Sequence, residues 1–396
     1  MNVLVSLLNL LIWRDKSVVL VGSWMGEKFS DNSRYLYQFL HYNKTDLNLK
    51  RVIWVTRNED LYQELLQMGY EVYKCGTLAS FYWHLKSGVH IICNAVYELK
   101  NGKFQPDIQT ELSFGAKRIQ LWHGIAIKSV GAASNEARAK NPNPKDPERS
   151  LIRHLLTRGG WDDYYFLSTS EKSREDNFKI SRCLKENMWI SSYPRNNACL
   201  EFLKDEKTVL KEIAPFKKKV IYLPTFRSDY TNYTHPLENQ HLLDFIDKND
   251  ILWIEKQHSA SDFSINDTAK YKNVYFLDEK FDVNILYDYV DAVVSDYSSA
   301  VFDAVYKNVP VIMYTPDLEN FKNGDVGIFF DLNEYCEHLL VFNGEELISH
   351  LNDVKDERYF TKDRLENYKT IMTVFFENRK ADYLDFWTTL KSFANL

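Results

Sequence analysis

Three groups of side chains in this sequence have the types and spacing for acid–base work or for anion binding. His123 stands in the segment LWHGIAIKSVG, at the end of an apolar run. An imidazole that titrates near neutral pH can take a proton from a hydroxyl. Gly124, next in the chain, permits a tight turn and close approach of a ligand to the backbone, and Lys128 lies five residues beyond His123, where the first turn of a helix is expected. His90, on a strand among apolar neighbours, reads instead as a core histidine. The second group is cationic. Lys256 and His258 flank Gln257 after another apolar run, and Arg227 follows Pro224-Thr225-Phe226. A Lys and a His beyond a strand end can contact a diphosphate by charge and hydrogen bonds, and the planar fork of an Arg suits phosphate. Each taken alone is equally well a surface charge. The third group is Ser295-Asp296-Tyr297-Ser298-Ser299. Ser298 and Ser299 fall where a strand hands over to a helix, and helix-start N–H groups attract an anion. An ordinary Ser/Asp helix cap explains the same residues. No Gly-rich fingerprint accompanies them, so the stretch is neither a P-loop nor a GxGxxG dinucleotide site. Taken together, the cations and hydroxyls of the second half suggest a nucleotide diphosphate donor. There is no DxD triplet, and Asp162-Asp163 and Asp229 are isolated acids. No metal and no other cofactor is expected, so leaving-group charge would fall to Arg227, Lys256 and helix N–H groups.

The elements that must position these residues alternate. Apolar strands are expected at 17–22, 51–56, 89–94, 118–122, 163–169 and 188–191, with helices at 34–42, 60–68 and 77–87 between them. Asp31, Asn32 and Ser33 are candidate caps for the first of these helices. The rhythm repeats with strands at 219–223, 251–256, 274–277, 291–295 and 309–314 and helices at 241–248 and 299–307. Residues 367–396 read as two closing helices rich in aromatic residues. Strand–helix alternation of this kind makes doubly wound parallel sheets. The expectation is an α/β chain of two Rossmann-like domains, residues 1–195 and 196–396, facing each other across a cleft. Polar residues gather at the carboxyl ends of strands in both halves, where ligands of open α/β sheets bind. Residues 135–160 interrupt the rhythm with three prolines and a net basic charge. They read either as a solvated loop or as a mobile loop for an acceptor or an anionic membrane.

Composition narrows the classes. A chain of 396 residues with 45% hydrophobic and 26% charged residues is globular and long enough for two cores. Aromatics reach 15%, a level suited to wet interfaces with carbohydrate or headgroups. The net charge of −6 argues against nucleic acid as a partner. Five dispersed cysteines, without a CxxC pair, imply reduced thiols in the cytosol and no zinc site. Residues 1–13 are apolar and are followed by Arg14 and Lys16. They are too short to span a bilayer and lack signal-peptide flanks. A buried first helix and a helix lying on the cytosolic membrane face both fit.

In combination the motifs resemble the CDP-glycerol glycerophosphotransferase family, which builds teichoic acids and related capsule polymers. WHGIAIKSVG is similar to the family's WHG-x-x-x-K-x-x-G, LPTFR to its APTWR, KQH to its K-x-H, and SDYSSAVFDAVYKNVPVIMYTPDLENF to its TDYSS…FD…DLE block. GEKFSDNSRYLYQFL and SSYPRNN resemble two further segments, and the matches run in order from residue 22 to residue 321. The resemblance implies a GT-B fold, a monotopic enzyme on the cytosolic membrane face, and transfer of glycerol phosphate, or ribitol phosphate in related members. The donor would be CDP-glycerol or CDP-ribitol, the acceptor a hydroxyl of a lipid-linked glycan or polyol-phosphate chain, and the leaving group CMP. Carried over by motif, His123 is the base; Arg227, His258, Ser298 and Ser299 bind the donor phosphates; Thr225, Lys256, Ser295 and Asp296 support that site. His258 also stabilises the leaving CMP, and Gly124, Lys128, Asp31 and Asn32 are assigned to the acceptor side. Departures are mild: Ser295 stands for Thr, Phe226 for Trp, Asn197 for Asp, and Ser259 for Pro. Two competitors stay open at this stage, a UDP- or GDP-sugar transferase of the same fold and a catalytically inactive nucleotide-binding scaffold of a polymer-assembly complex.

Overall fold

The computed structural model describes residues 12–94, 97–98, 104–142, 164–225, 227, 233–256, 271–324 and 326–396. Among the described residues nine strands fall in the first half of the chain: β1 Asp15–Val21, β2 Arg51–Thr56, β3 Val72–Lys74, β4 Ser87–Ile92, β5 Tyr97–Glu98, β6 Phe104–Gln105, β7 Lys117–Gln120, β8 Tyr164–Ser168 and β9 Met188–Ile190. Seven form one sheet in the order β3-β2-β1-β4-β7-β8-β9, and β5 pairs with β6 in a small antiparallel ribbon. Six more follow: β10 Lys218–Leu223, β11 Ile251–Glu255, β12 Val274–Phe276, β13 Ala292–Ser295, β14 Val311–Tyr314 and β15 Leu340–Val341. They form a second sheet in the order β12-β11-β10-β13-β14-β15. Every pairing in both large sheets is parallel. Parallel strands are covered on both faces, which is why these runs are continuously apolar rather than alternating. In the first sheet Val18, Leu20, Ile53, Val55, Ile92, Ile108 and Tyr164 close into one core cluster. In the second, Ile221, Trp253, Ile254, Val293, Val294, Ile312 and Met313 are fully buried.

Both orders reverse beside the first strand of their sheet, between β1 and β4 and between β10 and β13. Such a reversal opens a crevice at the carboxyl ends of the strands. Asp31, Asn32 and His123 lie near the first reversal, and Thr225, Arg227, Ser295 and Asp296 near the second.

The chain separates into two compact units, one of residues 1–123, 144–201 and 379–396, the other of residues 124–143 and 202–378. These contact-defined units are discontinuous, unlike a single division at 195/196. The segment after His123 belongs with the second unit. Lys128 bridges Ile328 in an antiparallel pair, Phe329 N–H donates to the Ile127 carbonyl at 2.8 Å, and Ser129 N–H donates to the Gly327 carbonyl at 3.1 Å. The closing helices also part company. Lys362–Phe376 packs within the second unit, Phe375 against Phe302 at 4.7 Å between ring centroids. Tyr383–Ala394 packs within the first, Phe386 against Trp189 at 5.9 Å.

Local chemistry sets the helix ends. Asn58 and Thr77 accept from Leu61 N–H at 3.1 Å and Ser80 N–H at 3.2 Å, capping Glu59–Gln67 and Leu78–Lys86. The part of the basic segment that is described holds a short helix, Asn135–Lys140, capped by Ser134; its remainder lies outside the described residues. Among the described residues no helix is long and apolar enough to cross a membrane.

Candidate active site

At the β1/β4 reversal of the first unit, residues expected separately are drawn together. The helix Asp31–Tyr42 begins three residues earlier than its periodicity suggests, so Asp31 is its first residue rather than its cap. Asp31 takes φ +63°, and its carboxylate accepts from Arg195 Nη1 at 2.6 Å and Trp24 Nε1 at 3.3 Å. Asn32 donates from Nδ2 to the Trp122 carbonyl at 2.9 Å, and its Oδ1 accepts from Arg195 N–H at 3.2 Å. These two side chains therefore tie the Tyr193-Pro194-Arg195 turn to the end of the Trp122-His123 segment.

His123 is half-buried. Its Nδ1 lies 3.2 Å from the Cys93 carbonyl oxygen. A carbonyl can only accept, so in the neutral ring Nδ1 carries the proton and Nε2 carries the lone pair. The Trp24 and Trp122 rings flank it with centroids 5.9 and 4.1 Å away. Trp122 has φ +59° and Gly124 φ +143°, a value only glycine adopts without strain.

Asp107, which no motif marks, is fully buried behind this group. It accepts from Met25 N–H at 2.8 Å, Cys93 N–H at 3.1 Å and Asn94 N–H at 2.9 Å. Burial pushes its carboxyl up to about 6, against the pull of those three N–H groups.

The β10/β13 reversal of the second unit gathers the other residues. Ser295 Oγ donates to the Leu223 carbonyl at 2.7 Å, joining the two strand ends. Asp296 accepts from Thr225 N–H at 2.9 Å and from Tyr297 N–H at 2.7 Å. Arg227 is buried and its fork is committed: Nη1 to Asp296 at 2.8 Å and to the Thr225 carbonyl at 2.8 Å, Nε to Asp317 at 2.6 Å, Nη2 to Asp317 at 3.1 Å. Tyr233 and Tyr297 place rings 4.1 and 5.5 Å from its guanidinium carbon. Burial disfavours the Arg227 charge, but Asp296 and Asp317 outweigh it and raise its pKa. Asp317, in the DLENF stretch, is thus a second member of the site that was not singled out.

Other groups here are uncommitted. Among the described residues the buried Thr225 Oγ1 has no hydrogen-bond partner. Ser299 makes no side-chain cap bond, while Ser298 Oγ accepts from Ala300 N–H at 3.3 Å. Lys128 sits in an extended bridge, not in the helical turn expected for it. Burial lowers its pKa, with Asp296 favouring and Arg227 opposing its charge. It therefore stands with Asp296 and Arg227 in the second unit, while Asp31 and Asn32 lie in the first unit. Lys256 donates from Nζ to the Phe281 carbonyl. His258, Gln257 and Phe226 lie outside the described residues. No cluster of three or more His, Cys, Asp or Glu that could hold a metal occurs among the described residues.

Two parallel sheets, each with polar side chains gathered at its order reversal, define an α/β architecture of the GT-B type. The chain belongs to the CDP-glycerol:poly(glycerophosphate) glycerophosphotransferase family, whose profile matches residues 4–384, and with it to the enzymes that transfer CDP-activated polyol phosphate. The teichoic acid poly(glycerol phosphate) polymerase of Bacillus spizizenii is 23% identical over 87% of this chain and 86% of its own. The teichoic acid glycerol-phosphate transferase of Staphylococcus aureus is 24% identical over 86% of this chain and 85% of its own. A ribitol-phosphate polymerase of Staphylococcus aureus is 30% identical over 51% of this chain, and this chain spans 36% of it. Among solved structures, the wall teichoic acid polymerase TagF is similar at a TM-score of 0.69, with 17% identity over 99% of this chain and 93% of that one. A variant of that polymerase soaked with CDPG is similar at 0.66. Family membership sets aside the sugar-nucleotide reading that the residues alone left open.

Proposed function

We propose that this enzyme transfers glycerol phosphate, or ribitol phosphate, from its CDP-activated form to a hydroxyl of a lipid-linked glycan or polyol-phosphate acceptor, in synthesis of a teichoic acid or capsule-type polymer. The observation that carries the donor assignment is the set of uncommitted groups at the β10/β13 reversal: the Lys128 ammonium, the buried Thr225 hydroxyl and the Ser299 hydroxyl. A buried hydroxyl without a partner is costly, and a bound diphosphate relieves that cost. Ser298, Lys256 and His258 join this set on the strength of the family motif. Arg227, Asp296 and Ser295 hold the turns that present it.

The acceptor oxygen attacks the phosphorus that carries the polyol, the bond from that phosphorus to the CMP oxygen breaks, and CMP leaves. His123 takes the hydroxyl proton at Nε2, a role favoured by the tautomer that the Cys93 carbonyl selects. Positioning and charge stabilisation supply the acceleration in such transfers. Purified protein offered CDP-glycerol, CDP-ribitol, UDP-glucose and GDP-mannose separately, with lipid-linked acceptor, should release CMP from one CDP-polyol and only when acceptor is present. Release of UDP or GDP instead would overturn the chemistry.

The acceptor is lipid-linked, and peripheral attachment to the cytosolic membrane face is part of the same reading. Its support is an exposed apolar face on the helix Leu78–Lys86, with Leu78 91%, Tyr82 52% and Phe81 43% exposed. Lys86 Nζ donates to the Trp13 carbonyl at 3.4 Å, which brings the 85% exposed Trp13 to that helix. Apolar and aromatic side chains beside a lysine suit a headgroup boundary. Replacing Leu78 and Phe81 by Asp should abolish co-sedimentation with anionic vesicles; unchanged co-sedimentation would remove this face from the reading.

A further inference from the structure

We propose that Asp107 is a positioning residue for His123, its carboxylate fixing the two stretches of backbone between which the imidazole is held. The inference rests on His123 being the base. Each wall of the His123 site lies in, or next to, a peptide group that donates to Asp107. On one side Asp107 takes the N–H groups of Cys93 and Asn94 at 3.1 and 2.9 Å, and the Cys93 carbonyl is the group that receives Nδ1. On the other it takes Met25 N–H at 2.8 Å, and the neighbouring Trp24 lays its ring beside the imidazole.

The second wall would not keep its shape unaided. Trp24 and Met25 have φ of +40° and +60°, a left-handed pair with no glycine in it. Such backbone costs roughly 1–3 kcal/mol per residue and persists only where its surroundings over-determine it. The surroundings here converge on one turn: Arg57 Nη1 and Gln105 Nε2 donate to the Met25 carbonyl at 2.8 and 2.9 Å, while Asp107 takes the N–H of the same residue. Asp107 touches both walls, because it reaches from the segment after β1 to the end of β4 across the sheet reversal. Its acceptor-only carboxylate meets three donors and no acceptor, so an amide cannot replace it without turning a donor toward one of them.

Asp107→Asn is the test, with three readouts. Turnover should fall by about tenfold or more, up to the about 10²–10⁴-fold that a missing base costs, while the KM for CDP-glycerol or CDP-ribitol stays within about twofold because the donor residues belong to the other unit. In protein carrying 15N-labelled histidine, the His123 signal should move from the Nδ1–H tautomer in the wild type to a mixture in the variant. In a His123→Ala background Asp107→Asn should bring no further loss, since a residue acting through His123 has nothing left to act on. Should Asp107→Asn not fold, Gly22→Ala carries the same readouts: an added Cβ would lie 2.6 Å from the Asp107 carbonyl oxygen, crowding the loop without removing a polar group. Wild-type turnover, an unchanged tautomer, or an equal loss on top of His123→Ala each overturns the proposal. Full turnover in His123→Ala alone would instead overturn the base assignment, whatever Asp107 does.

Discussion

At the scale of single residues, the two cations nearest the donor assignment have opposite jobs. Arg227 faces two carboxylates, Asp296 and Asp317, and its fork is occupied by them and by a carbonyl. One guanidinium against two carboxylates makes a net negative trio, so in the proposed site Arg227 holds the turns and Lys128 supplies the charge. The Lys128 ammonium makes no hydrogen bond or ion pair with the described residues, and burial already works against its charge. Removing each should therefore give different signatures. Lys128→Met should weaken CDP-polyol binding by about tenfold or more, the scale of one charge-assisted contact, while the melting temperature holds or rises. Arg227→Met leaves two buried acids without their partner, a change that costs about 3–5 kcal/mol; melting and donor binding should fall together. Calorimetry of binding and of unfolding on the two variants reads both quantities. His123→Ala should lower turnover by about 10²–10⁴-fold with donor affinity preserved, the complementary pattern, because His123 is not among the donor residues.

At the scale of elements, the sheet reversals depend on strands approaching closely enough to pair. β1 and β4 do so at Gly88, where a Cβ would lie 2.6 Å from both Cα and N of Lys16. Those are backbone atoms and cannot swing aside. Gly88→Ala should lower stability by about 1–3 kcal/mol, as overpacking does, with the loss visible in thermal unfolding; an unchanged melting curve would mean the strands can part here at no cost. Such contacts also explain what was legible in the sequence. The long apolar strands and the motif residues at their ends were readable, because a parallel strand buried on both faces leaves an uninterrupted run. β3 and β15, of three and two residues, leave no such run. Lys128 was expected on a helix, but its conformation is fixed by pairing with Ile328, two hundred residues further along. The helix Tyr383–Ala394 was readable as a helix, yet amphipathicity tells only that one face is buried, not against which sheet. Asp107 carries no local signature, and Asp317 stands inside the matched DLE block without being singled out, since the roles of both come from groups that only folding brings together.

At the scale of the whole molecule, buried titratable groups tie stability to pH, most strongly in the first unit. His84 is fully buried, and both ring nitrogens are engaged: Nδ1–H donates to the Ser80 carbonyl at 2.7 Å and Nε2 accepts from Gln109 N–H at 3.1 Å. Protonation would set two donors against each other at Nε2. Burial brings its pKa down to about 4 from 6.5, and the same cause takes the neighbouring His90 well below 6.5. Both are depressed, so the unfolded chain binds more protons than the folded one below 6.5, and stability is lost as pH falls from 6.5 toward 4. Asp107 has the opposite sign: raised to about 6 from 3.8, it takes stability away as pH rises through that window. Two protons outweigh one, so the net direction is acid destabilisation from about pH 6.5 down toward 4, with Asp107 offsetting part of it around and below pH 6. Each proton is worth about 1.4 kcal/mol per pH unit. Urea unfolding at pH 7.0, 6.0 and 5.0 should show the midpoint falling at each step, and His84→Gln should remove about one proton from that slope while leaving stability at pH 7 to depend only on how well the amide replaces the two hydrogen bonds. A slope unchanged by His84→Gln would move the acid sensitivity to His90 or to the second unit's His350, also brought down to about 4 by burial.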